Sequence, residues 1–468
     1  TGGFSNMDMA DKIIIPIAMG CVATFLIFWS LSGLLIKIFT SIKSVYYKGV
    51  NSFVLRQFCS KINTTVFSTT IICLMLFITI SVLSAALSMK NSMSSDLKKM
   101  CPVDIQFTKI SYEALREAYA TADKDSDDYE KATKILEDSK LSISDTLKNN
   151  GFDVNEYLKN MTEYSVYQTG LEEMDTLGSL ADEIREKYPM VSFLSSVNFM
   201  KLSDYNKIAT LYGNETYSLG DNEYLIVANF KTVADIRNMA LKAGTKIDIN
   251  GKTYSPKYKE CKDGFIELAS QHINDGIFIV PDDALTDAQV YKCGMTADYK
   301  ADSKEEKYDI ENKLDDISKN IFNQTSYLSY NSKIDLAEAS VGLGALVTFI
   351  ALYLGIIFLI SSAAILALKE LSDSADNRER YGMIRKIGVD EKMINMALFK
   401  QIGIFFAFPL LLAIIHSVFG IKFINLILQT MGMSSMLASV GITFIFLVVI
   451  YGGYFIITYL CSKSIIRP

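Results

Sequence analysis

The stretch INTTVFSTTIICLMLFITISVLSAALSM, Ile62–Met89, carries no charge, and neither does ASVGLGALVTFIALYLGIIFLISSAAILAL, Ala339–Leu368. A helix rises about 1.5 Å per residue, so roughly 20 apolar residues cross the ~30 Å hydrocarbon layer. Both runs exceed that length. Three more uncharged, mostly apolar runs lie outside them: Ile13–Ile36, Gln401–Ile421 and Met433–Cys461. The 245 residues from 89 to 333 form one polar insert between the two quoted runs, with 30 Lys+Arg and 42 Asp+Glu. The expected fold is an α-helical transmembrane protein of five spans, with a large α+β extracytoplasmic domain inserted between spans two and three.

Charge orients this layout. The loop between spans one and two holds Lys37, Lys43, Lys48, Arg56 and Lys61 and no acid. The loop between spans three and four holds Lys369, Arg378, Arg380, Arg385, Lys386 and Lys392, and the tail holds Lys463 and Arg467. The positive-inside rule places these segments in the cytoplasm. The insert, with 30 Lys+Arg against 42 Asp+Glu, then lies outside. The location expected is a membrane crossed several times, with residues about 90–333 on the side away from the cytoplasm.

The chain divides accordingly. Residues 1–61 are the first span and its basic loop, 62–94 the second span and stalk, and 95–330 the exterior domain. Residues 331–368 are the third span and stalk, 369–396 a cytoplasmic coupling loop, and 397–468 the last two spans and tail. An odd number of spans with no secretory signal points to the C-terminal part of a longer membrane protein.

Cysteine and histidine usage narrows the chemistry. Outside the membrane only Cys101, Cys261 and Cys293 are expected, an odd number at wide spacing, so a Cys261–Cys293 bond is not favoured. His272 and His416 are the only histidines, too few for a His-based metal site or a His-dependent triad. His416 falls in span four, where a neutral histidine is expected. The acidic run Asp123–Glu130 lacks the glycine and distal glutamate of a calcium loop and reads as helix-start charge.

Within the insert, Asp125–Asn149 and Leu180–Lys187 read as helices, Met190–Ser195 as a strand, and Ser203–Leu211 as a helix ended by Gly213. Glu223–Asn229 and Gly276–Val280 read as strands, and Thr245–Tyr254 as a hairpin around Asn250-Gly251. Ser303–Ile321 reads as an amphipathic helix. The two legs, at 28 and 30 uncharged residues, reach about 42 and 45 Å. They are expected to continue outward as one mechanical stalk, with Ser81, Ser84, Ala85 and Ser88 in one leg and Gly342, Gly344, Ser361 and Ala364 in the other suiting close packing.

Between spans three and four runs Glu379-Arg380-Tyr-Gly-Met383-Ile384-Arg385-Lys386-Ile387-Gly388-Val-Asp390. A short helix with Met383, Ile384 and Ile387 as apolar contacts can lie on a membrane or fill a partner's groove. This stretch resembles the FtsX-like family of ABC-transporter permeases: an acid–Arg pair, an apolar pair, a basic residue, an apolar–Gly step and a polar turn. The entrance to span two, Asn51–Gln57 followed by Lys61–Thr64, fits as well. The layout is most similar to the C-terminal half of bacitracin-efflux (Bce) type permeases.

The resemblance implies a coupling helix near Asp376–Ile394, with Glu379, Arg380, Met383, Ile384, Arg385, Lys386, Ile387 and Gly388 facing a separate ABC ATPase, itself a homodimer. No G-x-x-x-x-G-K-[ST] occurs, so no cofactor is expected in this chain; ATP and Mg belong to the partner subunit. The remaining partners implied are membrane lipid, a sensor histidine kinase, and a peptide antibiotic or lipid-linked wall precursor; no nucleic acid is expected. The function implied is a permease subunit, not an enzyme, acting in antimicrobial-peptide resistance or sensing. Alternatives are a lipoprotein-release or efflux permease, a scaffold activating an exterior cell-wall hydrolase, and a receptor without an ATPase.

Overall fold

The computed structural model describes residues 8–41, 49–118, 133, 135–188, 195–321, 327–430 and 437–467. The helices used below are α1 (Asp8–Ser41), α2 (Asn51–Met100), α3 (Tyr112–Ala118), α4 (Ile143–Asn149), α5 (Ala181–Lys187), α6 (Leu202–Tyr212), α7 (Lys231–Ala243), α8 (Lys304–Ile321), α9 (Lys333–Asp376), α10 (Arg378–Lys386), α11 (Glu391–Thr430) and α12 (Leu437–Ile465). The strands are β1 (Ile105–Ile110), β2 (Leu158–Gln168), β3 (Phe199–Lys201), β4 (Glu223–Val227), β5 (Ile247–Ile249), β6 (Lys252–Pro256), β7 (Ile277–Val280), β8 (Gln289–Tyr299) and β9 (Leu328–Ser332). The chain forms two compact units, one built mainly from Asn91–Leu343 and the other from Gly3–Lys90, Gly344–Ile427 and Ser435–Pro468.

The second unit is helical. Among the described residues, four helices are long and apolar enough to cross a membrane, within Thr65–Met100, Lys333–Asp376, Glu391–Gln429 and Ser439–Ile465. In α1 the described apolar stretch is the shorter Ile14–Ser30. Outward-facing Phe67, Phe349, Leu411, Phe419 and Val449 are each at least 60% exposed, which suits helices solvated by lipid tails. The inward faces meet around Ile72, Leu76, Leu359, Ala363, Leu398, Ile402, Phe406 and Tyr451.

Small residues set how closely these helices approach. A Cβ built on Gly344 of α9 would lie 4.0 Å from Cβ of Lys90 in α2, and one on Gly355 would lie 3.5 Å from Cγ2 of Thr79. Eleven residues separate each pair of positions and eleven is about three turns. The contacts therefore follow one face of each helix, and the two run antiparallel. Ser84 donates to Thr443 of α12 at 3.0 Å, and Gly420 of α11 sits where any Cβ would strike the Phe77 ring at 2.5 Å.

The first unit is α+β. Its nine strands form one mixed sheet in the order β5-β6-β4-β7-β3-β2-β8-β1-β9. Its longest ladder is the antiparallel pair β2 and β8, from Leu158↔Tyr299 to Gln168↔Gln289. Ile105, Phe107, Leu147, Phe152, Met295 and Leu314 pack one core of this unit; Val166, Met200, Tyr205, Leu225, Phe265 and Ile279 pack another.

Most expected elements of this unit are present. Helix α6 ends on Gly213 at φ +73°, and the hairpin turns on Asn250 and Gly251, both with positive φ. Helix α8 opens on Ser303, whose Oγ accepts from the Glu306 amide at 3.2 Å. The single helix expected over Asp125–Asn149 is corrected. Chain at Lys140–Ser142 leaves the helix, and the Ser142 side chain caps a fresh start at α4 by accepting from Asp145 N. The acidic run at 123–130 and most of the strand expected at 190–195 lie outside the described residues. Cys261 and Cys293 are both free thiols: Cys261 reaches toward the Ala234 carbonyl, and Cys293 faces Ser165 across β2 and β8.

One buried acid makes this unit pH-sensitive. Glu311 of α8 is 5% exposed and accepts from the Tyr299 hydroxyl at 2.5 Å. Burial pushes its carboxyl up to about 7; hydrogen bonds from Tyr299 and Ser332 oppose the rise, and Asp335 and Asp315 add to it. A carboxyl raised on folding contributes stability that is complete below its ordinary value of 4.5 and is lost as pH rises through about 7. At about 1.36 kcal/mol per pKa unit the effect is at most about 3 kcal/mol. Amide exchange in β8 and α8, corrected for intrinsic rates, should therefore become less protected between pH 5 and about 7.5, and Glu311→Gln should flatten that slope. An unchanged slope in the variant would assign the dependence to other groups.

Candidate coupling site

Helix α9 runs on past the apolar stretch to Asp376, and Asn377 at ψ 0° breaks it. Helix α10 then lasts nine residues. Its end is fixed by a pair of backbone bonds, Val389 N to Ile384 O at 3.2 Å and Gly388 N to Arg385 O at 2.9 Å. That is the Schellman pattern, and it needs a residue in the left-handed region; Gly388 supplies it at φ +91°. The hydrophobic contact that accompanies the motif is present too, since Ile384 and Val389 pack against the same core. Asp390 O accepts from Met393 N and Ile394 N, which starts α11.

Side chains tie this hairpin into the helical unit. Tyr381 is fully buried, its ring 5.3 Å from that of Phe53 and edge-on to it, and its hydroxyl donates to Gln401 Oε1 at 3.0 Å. Burial raises its phenol above the ordinary range. Ile394, Ala397 and Leu398 are buried beneath it. Arg385 closes the turn. Its guanidinium pairs with Glu391 and donates from Nη1 to the Ile466 carbonyl at 2.7 Å, which ties the end of the chain to the loop. The Arg385 hydrogen bond holds the Glu391 carboxyl below its usual range.

What remains outward is one face of α10. Glu379, Arg380, Met383, Lys386 and Ile387 recur at helical spacing and are exposed, Met383 by 59% and Ile387 by 79%. Two large apolar side chains are thus presented to water between charges of both signs. Met393, Met396 and Phe399 add exposed apolar surface at the start of α11. The site residues separate into two groups. Glu379, Arg380, Met383, Lys386 and Ile387 form the outward face, whereas Ile384 and Arg385 hold the loop in place and Gly388 permits its turn. Tyr381 and Gln401 were not among the expected residues. The pairing of two buried polar groups 20 positions apart leaves no mark in the sequence pattern.

His416 lies against α1, where its Nε2 is 3.2 Å from Thr24 Oγ1. The Thr24 hydroxyl already donates to the Gly20 carbonyl at 2.7 Å. Having one hydrogen, Thr24 must accept from the ring, so Nε2 carries a proton.

No family model matches the chain. A stretch of 93 residues is 31% identical to the ABC transporter permease protein YxdM of Bacillus subtilis (strain 168), covering 20% of this chain and 15% of that protein. Over 92 residues it is 34% identical to the bacitracin export permease protein BceB of the same organism, covering 19% and 14%. Over 105 residues it is 28% identical to the bacitracin export permease protein BceB of Halalkalibacterium halodurans, covering 22% and 16%. The relatives found are thus ABC-transporter permeases of the bacitracin-export and YxdM type, and the chain spans 14–16% of the length of those it matches.

Proposed function

We propose that the chain is the membrane subunit of an ABC complex, in which a separate ATPase docks on the exposed face of α10 and drives movement of the sheet-bearing unit. The observation that supports this best is the outward pair Met383 and Ile387, held on a helix whose ends and base are fixed by the Schellman turn, Tyr381 and Arg385. A solvated connecting loop has no need for that much fixing, nor for two exposed apolar anchors ringed by charge. In this reading five helices span a bacterial plasma membrane, the loops holding Lys37–Lys61 and Lys369–Lys392 are cytoplasmic, and residues about 90–333 are outside. ATP and Mg are bound by the partner, a homodimer. The likeness to bacitracin export permeases favours work against cell-envelope peptide antibiotics, alongside a sensor kinase, over lipoprotein release or activation of a wall hydrolase.

The test is co-purification of the ATPase. Burying an apolar side chain of this size contributes roughly 1.5–3 kcal/mol, so Met383→Asp with Ile387→Asp should weaken docking by about a hundredfold or more. Both side chains are exposed, so insertion and folding should be unaffected. Lys386→Ala should cost little, because rim charges act on encounter more than on affinity. Recovery of the ATPase at wild-type yield with the double variant would remove this face from the interface.

A further inference from the structure

The geometry points to a saccharide-binding cup on the sheet-bearing unit, at the end of the β2–β8 ribbon, where Glu117, Gln168, Gln289 and Tyr291 converge. The cavity there holds about 280 Å³ and is lined also by Ala114. This is just under the roughly 300–1,000 Å³ of small-molecule sites, enough for one or two sugar rings and too small for a folded peptide.

The backbone builds the cup deliberately. Gln168 and Gln289 are direct register partners, so their amides stand side by side at the last rung of the ladder. One step inward, Val166 pairs Lys292 and Tyr167 pairs Val290, which leaves Tyr291 as the extra residue of a bulge. Bulges re-aim side chains, and this one places Tyr291 in the cavity lining. The same bulge anchors α3. Ser111 N donates to the Tyr291 carbonyl at 2.9 Å, the Ser111 hydroxyl bonds the Val290 carbonyl, and Ser111 Oγ caps α3 by accepting from Ala114 N at 3.2 Å. Ala114 and Glu117, three apart, then share the helix face over the cup.

The ligand class follows from what lines the cavity. Glu117, Gln289 and Tyr291 make no side-chain hydrogen bonds among the described residues, and Gln168 engages only its Nε2, with Asn198 at 3.2 Å. A carboxylate, two amides and a phenol around one small cavity offer both acceptors and donors, as a polyhydroxylated ring requires, and an aromatic ring among them suits the apolar C–H face of a pyranose. No lining residue is cationic and one is anionic, so phosphates and carboxylates are disfavoured. An apolar ligand would bury these polar groups unpaired.

The experiment uses the full chain in lipid nanodiscs, prepared free of sugar-headgroup detergent and titrated with glucose, N-acetylglucosamine and its β-1,4-linked dimer by saturation-transfer NMR. Inorganic phosphate and trilysine serve as probes of the other ligand classes. The expected result is saturable millimolar or tighter binding of at least one sugar, weakened about tenfold by Tyr291→Ala or Gln289→Ala and severalfold by Glu117→Gln. Glu117 and Gln289 are exposed, so their variants keep the readout valid should Tyr291→Ala fail to fold. Absence of any sugar signal at millimolar concentration, sugar binding unchanged in Glu117→Gln with Gln289→Ala, or loss of phosphate or trilysine binding in those variants would each overturn the assignment.

Discussion

A disulfide between positions 90 and 344 should form readily and, if the chain works as proposed, stop transport while leaving the ATPase bound. The Cβ of Lys90 lies 4.0 Å from a Cβ placed on Gly344, inside the roughly 3.5–4.5 Å a disulfide requires. Lys90 is exposed and the space at Gly344 is ordinary contact distance, so Lys90→Cys with Gly344→Cys introduces no overpacking. These residues sit on the antiparallel stripe that continues to Gly355 and Thr79. If hydrolysis on the cytoplasmic side is felt outside through these two helices, they must slide or splay against each other, and a bridge at one end of the stripe forbids both. On the proposed function, oxidised cells should lose resistance to the peptide antibiotic, and dithiothreitol should restore it. Pull-down of the ATPase should be the same in both states, since the bridge lies well away in sequence from α10. Full resistance in quantitatively oxidised protein would mean that the stripe is static and that movement passes through other contacts.

Why the helical unit was readable and the sheet only partly so has a physical basis. A membrane-crossing segment announces itself by length and lack of charge, and the four long apolar helices among the described residues match four of the five runs the hydropathy pattern picks out. The strands of the sheet-bearing unit carry a weaker signal. In β8, QVYKCGMTADY, the bulge at Tyr291 breaks alternation, and in β2 the irregularity between Lys159 and Thr162 does the same. The short β3 rests on pairing with β7, a long-range contact that no local pattern encodes. Helix α7 was legible and missed: Val233, Ile236, Ala240 and Leu241 lie on one face, and Gly244 follows as a left-handed cap at φ +72°.

The loop between α9 and α11 divides the same way. Its boundaries follow from Gly388 and from the apolar spacing, yet that spacing cannot say which apolar side chains face inward. Met383, Ile384 and Ile387 are equivalent by composition, but only Ile384 meets the core. Arg385 looks like a rim charge in sequence. In the fold its partners are Glu391, six residues on, and a carbonyl 81 residues away, so Arg385→Ala should loosen the loop itself and not merely trim an interface.

Truncating Arg237 should destabilise the sheet-bearing unit far more than removing any of its surface charges. Arg237 is 2% exposed; Nη2 donates to Glu173 Oε1 at 2.8 Å and Nε to the Asp275 carbonyl at 2.6 Å, with the guanidinium carbon 5.5 Å from the Phe278 ring centre. It joins α7 to the short helix Glu173–Leu180 beside Leu177, Ile184, Val233 and Ile236. Chain passes so close that a Cβ on Gly276 would lie 2.6 Å from Nε. Arg237→Ala would strand the Glu173 carboxylate in the interior, and breaking a buried pair this way typically costs about 3–5 kcal/mol, or roughly 6–20 °C in Tm for a unit of this size. The pH dependence identifies the cause. Burial already raises the Glu173 carboxyl, with Arg237 opposing the rise; without the arginine it rises further. A raised carboxyl contributes stability present at low pH and lost as pH climbs through its folded value. The deficit of Arg237→Ala should therefore be largest near neutrality and shrink toward pH 5. Arg237→Met with Glu173→Met removes both charges and should recover most of the loss at neutral pH. A deficit independent of pH and unrelieved in the double variant would show that packing on Phe278, not the ion pair, is what Arg237 contributes.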